Sequence, residues 1–497
     1  VRERDMNCFV GVDIGTTGIR AGVYDDELTL LASGAGRSFI KKGRYGEIIQ
    51  DPEEIYRETA DAVNSAIQSS KVRLGDIECI SFDGQMAGIM GIDKEWRAVT
   101  PYDSWLDTRC SDQVDLLSRS ARRTIIEKTG NIPSYNHGPK ILWWKENVPE
   151  VFDRVVRFVQ PSGWVAGRLC GLGGEDAFID WSYLHFSTFA DSKNLKWDKE
   201  LLARFGVPQD KLPRIISPFT VIGKVNKQEA ELFGIPEGVS VAAGCGDTIS
   251  CFLGTGAIED GIAVDVAGTA SALSLTVSEL VTDLEGLVFG ARSVLQHLFY
   301  SMSYINGGGL NLEWYRDVFA PGKSFSALDE EIKRIPPGSE GLIFIPHLEG
   351  RGYPNNPDIR GQWRGFTRSH TREHFYRSIL EGIAYEYALY KERIASLAGG
   401  SSSYIVRGVA GGSKSDVWNQ IKADVLGCPY CTINRDDIST LGQAVVAAAA
   451  AGCLDDIIGT VKGIVKESRT FYPNKERHGL YQESIAGYKQ MLSQYEG

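Results

Sequence analysis

Residues 8–25 read CFVGVDIGTTGIRAGVYD, and the folding of this stretch decides the architecture. Phe9, Val10 and Val12 follow a buried-strand pattern, Ala21, Val23 and Tyr24 form its antiparallel partner, and residues 13–18 are the hairpin between them. Turn geometry with positive φ accounts for Gly15 and Gly18. It does not account for Asp13, Thr16 and Thr17. Exposed backbone N–H groups beside threonine hydroxyls suit a phosphate, and a carboxylate at a strand end suits hydrated Mg²⁺. An ordinary polar hairpin is the alternative, and this stretch alone does not separate the two.

With 497 residues, the chain exceeds one ordinary core, so two or three domains are expected. A net charge of −11, with no dense Lys/Arg cluster, argues against nucleic-acid and membrane-surface partners. The longest apolar run, AVVAAAAAG before Cys453, is too short for a bilayer and reads as a buried helix. The lead VRERDMN is too short and polar for a signal peptide, so the expected location is cytoplasmic. Nine scattered cysteines suit reduced thiols. Cys428 and Cys431 have redox-motif spacing, but a redox pair opens a helix after a strand. Here a helical pattern ends at Gly427 and the strand-like YCTIN follows, so the strand reading is preferred.

A longer echo of the opening stretch occurs at residues 263–277, AVDVAGTASALSLTV: strand, Gly-Thr turn, strand. Two such hairpins, each followed by strands and helices, predict two similar α/β domains facing one cleft, with the boundary within 236–257. The expected division is 7–248, 249–455 and a helical extension 456–497. Between the hairpins, residues 52–70 read as a helix capped by Asp51 with Pro52 in its first turn. DIECISFDGQM is a strand entering a loop, and residues 371–397 form a long amphipathic helix.

Val239 to Ala243 is strand-like and GCGDT follows, placing Asp247 where a strand ends and a helix begins. It is either a helix N-cap or a base that accepts a proton from a substrate hydroxyl. Phosphoryl transfer needs held phosphates, a metal and a carboxylate orienting the attacking oxygen. An unperturbed aspartate, with a pKa of ~3.9, would be ionised at neutral pH. Four glycine turns stand in order: Gly15 with Thr16 and Thr17, Gly268 with Thr269, Gly307 to Gly309, and Gly411 with Gly412 and Ser413. No Walker pattern is present.

These residues resemble the FGGY carbohydrate kinases of the sugar kinase, Hsp70 and actin superfamily, from about Cys8 to about Cys453. Gly361, Trp363, Gly365, His374, Phe375, Ser378, Ile379, Leu380 and Glu381 fall at the spacing of the second family signature, with Phe366 a departure. Tyr135, Lys140, Trp143, Trp144, Lys145, Glu146 and Asn147 echo the first, with His137 a departure. The resemblance implies two RNase-H-like (actin-like ATPase) domains flanking an ATP cleft. It makes Asp13 the metal-associated aspartate, Gly15, Thr16 and Thr17 the first phosphate loop, and Gly268 and Thr269 the second. Asp247 matches the catalytic base. Gly309 and Glu313 resemble a nucleotide contact, and Gly411, Gly412 and Asp416 the adenosine site.

On the substrate side, Gln85 and Met86 lie in a loop resembling the xylulokinase Gly-Gln-Met-His, with Ala87 replacing the histidine. Loss of a hydroxyl partner is costly, so the change argues against D-xylulose itself. Trp105 is expected against a sugar C–H face, Asp107 as an acceptor of hydroxyls, and Arg109 in a surface ion pair. His137, His185 and His297 lack metal-ligand spacing and read as structural. A chaperone-like or cytoskeletal ATPase would want a client domain or polymer surface. A silent sugar-binding regulator would have lost Asp247 or a phosphate loop. The expectation is an ATP- and Mg²⁺-dependent kinase of a ketopentose or related polyol, xylulokinase-like, with homodimerisation common in the family.

Overall fold

The computed structural model describes residues 7–398 and 404–495. Two compact α/β units emerge, and neither is a continuous piece of chain. One takes the residues up to Ile258 with Ala291–Leu298 and Asp437–Ile464; the other takes Glu259–Gly290, Phe299–Asp436 and the residues from Val465 onward. No helix among the described residues is long and apolar enough to cross a membrane.

The first unit is built on strands β1 (Cys8–Ile14), β2 (Gly18–Tyr24), β3 (Leu30–Arg37), β4 (Ile77–Gly84), β5 (Val221–Lys224), β6 (Ser240–Ala242) and β7 (Cys245–Gly246). Their order is β5-β6-β4-β1-β2-β3, with β7 also pairing β4. The β1–β2 hairpin is antiparallel, with Asp13 opposite Arg20, whereas β1 runs parallel to β4, with Asp13 opposite Asp83. Apolar residues of β1 and β4 are buried on both faces, as central parallel strands require. The helix Pro52–Ser70 begins as the sequence predicts: Asp51 accepts from the Glu53 amide and Pro52 occupies the first turn.

The Ala-rich helix Ile438–Ala450 is buried, as expected, but in the first unit rather than in a domain spanning 249–455. The reason is backbone contact. A Cβ on Gly11 of β1 would lie 2.0 Å from the carbonyl oxygen of Thr440 and 2.8 Å from the amide of Ala444, so only glycine permits this approach. Polar bonds then fix the helix: Ser81 Oγ donates to Gln443 at 2.6 Å, and Tyr24 OH meets Thr440 Oγ1 at 2.7 Å.

The second unit carries strands β8 (Ile262–Ala267), β9 (Ser271–Val277), β10 (Phe299–Ile305), β11 (Ile405–Val409), β12 (Tyr430–Ile433) and β13 (Glu467–Phe471), running β10-β9-β8-β11-β12-β13. The hairpin β8–β9 repeats the antiparallel opening motif, and β8 runs parallel to β11. Both sheets are mixed and helix-covered, consistent with an actin- or Hsp70-like ATPase fold. The segment 456–497 is not purely helical. β13 extends the sheet by pairing β12 antiparallel, and the helix Lys475–Leu492 buries Tyr481, Ile485 and Tyr488 in the core of this unit. Cys431 lies on β12 and Cys428 just before it; burial pushes their thiols up to about 12 and about 11, which removes the thiolate that redox chemistry needs.

Candidate active site

In the first unit, three carboxylates gather where the central strands end. Asp13 and Asp83 face each other in the β1–β4 register, and Cys245 of β7 pairs with Asp83 from the other side. Two residues after Cys245, Asp247 opens the helix Asp247–Gly254. Its N-cap is Gly246, so Asp247 is not the cap; its Oδ1 accepts from the Thr248 amide at 2.6 Å and from the Thr248 hydroxyl at 3.1 Å.

Burial is the main cause that raises all three carboxyls. It pushes Asp247 to about 7, with the Asp13 charge adding to the effect. The ordinary aspartate value assumed from the sequence therefore does not hold. Asp83 is held well above the usual range by burial first, then by Asp13 and Asp247, and neither of its oxygens has a hydrogen-bond partner. Asp13 is raised by burial against the opposing hydrogen bond from Ser439, whose Oγ donates to its Oδ2 at 2.8 Å. Sequence reasoning missed Asp83 and Ser439. The DG step of SFDGQM, a carboxylate at the end of a buried strand, was the available signal for the first.

Beside this cluster, Gly15, Thr16 and Thr17 form the β1–β2 turn, closed by the Gly15 amide donating to the Gly18 carbonyl at 3.1 Å. Neither glycine adopts positive φ. Gly15 is required instead by crowding, since a Cβ there would lie 2.9 Å from that carbonyl oxygen.

Trp105 is 41% exposed, and its indole Nε1 donates to Thr16 Oγ1 at 2.9 Å, so the structure brings these two expected residues together. Gln85 and Met86 are buried: Gln85 Nε2 donates to Gln50 Oε1 at 2.7 Å, and Met86 fills the space over Gly246. Asp107 differs from expectation. It is 2% exposed, and its oxygens accept from the Ile48 amide and from the Arg109 amide and Nε, so it shapes the Trp105 loop rather than offering free acceptors. Arg109 is correspondingly no fully exposed surface residue; its half-buried guanidinium pairs with Asp103 at 2.6 Å, Asp107 at 2.9 Å and Glu47 at 3.1 Å.

The first signature's residues explain themselves here. Lys140 Nζ donates to the Asp107 carbonyl at 2.8 Å, and Trp144 Nε1 to Asp103 at 2.6 Å, anchoring the same loop. His137 and His185 are buried, and desolvation lowers them to about 4 and about 3. Among the described residues, no group of three or more His, Cys, Asp or Glu is arranged to hold a metal ion.

In the second unit, three of the glycine turns converge. The Gly309 amide donates to the Gly268 carbonyl at 2.9 Å, and the Leu310 amide to the Thr269 carbonyl at 3.1 Å, docking the start of the helix Gly308–Phe319 on the β8–β9 turn. A Cβ on Gly412 would lie 2.7 Å from that of Ala267, the residue before Gly268, so the turn after β11 packs against the same place. Gly411 is exposed with open space around its Cα, and Glu313 is exposed one turn into its helix. Asp416, expected near the adenosine, is exposed and ion-paired with Arg469 of β13.

The second signature is structural at its acidic end. Glu381 is fully buried and accepts from the Gly338 amide, Ser339, Arg377 and Tyr481, while Trp363 Nε1 donates to Ser378 at 2.9 Å.

Comparison with known proteins supplies the family. The chain is 26% identical to the xylulose kinase of Bacillus subtilis over 98% of its own length and 97% of that protein. It is 25% identical to the gluconokinase of the same organism, over 94% of each chain. The ligand-bound xylulose kinase structure from Lactobacillus acidophilus superposes with a TM-score of 0.91 at 22% identity, covering 99% of both chains, which is a likeness of fold. The N-terminal domain model of one family matches residues 8–254 and its C-terminal domain model residues 247–451, so this chain belongs to the FGGY family of carbohydrate kinases.

Proposed function

We propose that the protein transfers the γ-phosphoryl group of ATP to a hydroxyl of a ketopentose or related polyol, a xylulokinase-like activity on two RNase-H-like units. The observation that carries this reading is the placement of Asp247: a carboxylate raised to about 7 at a helix start, beside Asp13 at the end of β1. A group poised near neutral pH both orients an attacking hydroxyl and takes its proton. Asp247 fills that role here, and the exposed indole of Trp105 offers a face for the sugar's C–H groups.

Gln85 and Met86 form the floor of the substrate loop, with Asp107 holding the loop's shape. Gly15, Thr16 and Thr17 are the proposed first phosphate loop and Gly268 and Thr269 the proposed second, each a turn that offers amides and hydroxyls to phosphate oxygens. Gly309, Glu313, Gly411, Gly412 and Asp416 flank the nucleotide's remainder.

Asp13 is the residue that would hold Mg²⁺, and the donors fit: Asp13 is half-buried with one oxygen steadied by Ser439, and the adjacent Asp83 has two buried oxygens without partners. One or two carboxylates leave most of the shell to water and phosphate oxygens, the usual habit of this ion. Bound there, the metal supplies neutralisation of phosphate charge.

Similar proteins carry both xylulose kinase and gluconokinase names, so both substrate classes belong in the test. An ADP-release screen across ketopentoses, alditols, ketohexoses, gluconate and open-chain diketones is that test. Sugar-dependent ADP release that falls about 10²–10⁴-fold in Asp247→Asn, with an unchanged melting temperature, is expected. Near-normal turnover in that variant overturns the role given to Asp247, and ATP hydrolysis indifferent to every compound favours a non-kinase ATPase.

A further inference from the structure

Strand β7 is only two residues long, yet it delivers the chain to Asp247, and so short a ladder cannot fix that delivery alone. Its pairing with β4 sets Cys245 beside Asp83 and Gly246 beside Gly84. At that point two consecutive side chains from the 3-10 turn Trp181–Phe186 take over from the ladder. The Gly246 amide donates to Ser182 Oγ at 2.9 Å. The Tyr183 hydroxyl stands 3.2 Å from the Gly84 carbonyl, 3.2 Å from the Cys245 carbonyl and 2.8 Å from Ser162 Oγ.

A phenol has one proton and two lone pairs, so Tyr183 shares its proton between the two carbonyls while accepting from Ser162. The turn itself is steadied by Asp180, whose Oδ1 accepts from the Ser182 amide at 2.8 Å. Asp180, Ser182, Tyr183 and Ser162 are all at most 3% exposed. One hydroxyl thus bridges the backbone just before the Gln85 loop and the backbone just before Asp247. A phenylalanine would fill the same space, so the hydroxyl's purpose is the bridge and not the packing.

We infer that Ser182 and Tyr183 are positioning residues for the reaction, holding the Asp247 carboxylate in place relative to the loop that starts at Gln85. The inference rests on Asp247 being the base. The experiment compares Tyr183→Phe, Ser182→Ala, Asp247→Asn and the double variant Tyr183→Phe/Asp247→Asn, using ATP, Mg²⁺ and the compound of highest turnover from the screen. Tyr183→Phe is expected to lower kcat about 10-fold with KM for ATP unchanged within about 2-fold, because the nucleotide-side turns are untouched. On the Asp247→Asn background the same change should cost less than about 2-fold, since residues acting through one group are not additive.

Ser182→Ala guards against a folding artefact and should reproduce the kcat loss. Wild-type kcat in both folded single variants overturns the inference. An undiminished Tyr183→Phe loss on the Asp247→Asn background also overturns it. Failure of the base reading is seen separately, as normal turnover of Asp247→Asn alone.

Discussion

Trp105 Nε1 donates to Thr16 Oγ1 at 2.9 Å across 89 residues of sequence, tying an exposed ring on the proposed sugar side to the turn proposed as a phosphate loop. The ring and the donor do separable work. Trp105→Phe keeps an aromatic face and loses the bond, so KM for sugar should change by less than about 3-fold. The freed Thr16 should cost about 2–10-fold in kcat, the worth of one ordinary hydrogen bond. Trp105→Ala removes both and should also raise KM for sugar by about 5–10-fold, the upper part of the range for losing an aromatic contact of about 0.5–1.5 kcal/mol. Steady-state kinetics in both substrates checks this; equal effects of Phe and Ala on KM for sugar would show that the ring makes no sugar contact.

Asp247 also sets an expectation for pH. In the proposed role of base this carboxyl works only when ionised, and burial has pushed it to about 7. The profile of kcat/KM should therefore rise with an acid limb near neutrality rather than near 4, and level off above it. Raising Mg²⁺ should move the limb downward, because a cation beside Asp13 favours the charged form of its neighbour. An acid limb that stays near 4 at low Mg²⁺ would mean that Asp247 is solvated and unperturbed in the working enzyme.

How much of this was legible in the sequence follows the range of the interactions. The β1–β2 hairpin and the Asp51-capped helix are local: alternation, a turn and a cap residue fix them within about twenty residues. Asp83 entered the site only through the parallel pairing of β1 with β4, which no local pattern specifies. Ser439 is 426 residues from the Asp13 it supports, carried there by a helix that the chain order assigns to the wrong half. Asp107 was misread for a related reason. The sequence analysis expects it to accept from hydroxyls, whereas the groups that occupy its oxygens include the distant Ile48 amide.

Asp180 gives a stability prediction independent of catalysis. Burial raises it from 3.8 to about 7, against the opposing hydrogen bonds from Ser182. Between these values the unfolded chain has lost the proton and the folded chain still holds it. Folding stability attributable to this group therefore falls as pH rises through that window and is flat above it. Asn at this position keeps an acceptor for the Ser182 amide and never ionises. Asp180→Asn should be close to wild type near pH 4 and gain on it steadily to about pH 7, by up to about 4 kcal/mol. Urea unfolding of both proteins at several pH values measures the gap, and a gap independent of pH would show that Asp180 titrates normally.

Ala87 bears on the sugar. It is half-buried and directly follows Met86, whose carbonyl is already taken: His137 Nε2 donates to it at 2.7 Å. That ring is 2% exposed and neutral, so it is spent on the loop backbone and does not stand in for an imidazole at position 87. Alanine leaves room and no donor. The preferred substrate should lack the hydroxyl that such a donor would bind, turn it elsewhere, or fill the space with extra bulk. Installing the ring by Ala87→His should raise kcat/KM for D-xylulose by about 10–100-fold, the return from a hydrogen bond of about 1.5–3 kcal/mol. The same change should lower activity on the preferred substrate by crowding it. The comparison is made across the full sugar panel with both proteins. If the unmodified enzyme already favours D-xylulose over every other compound and Ala87→His only impairs it, another group supplies the contact and position 87 does not set specificity.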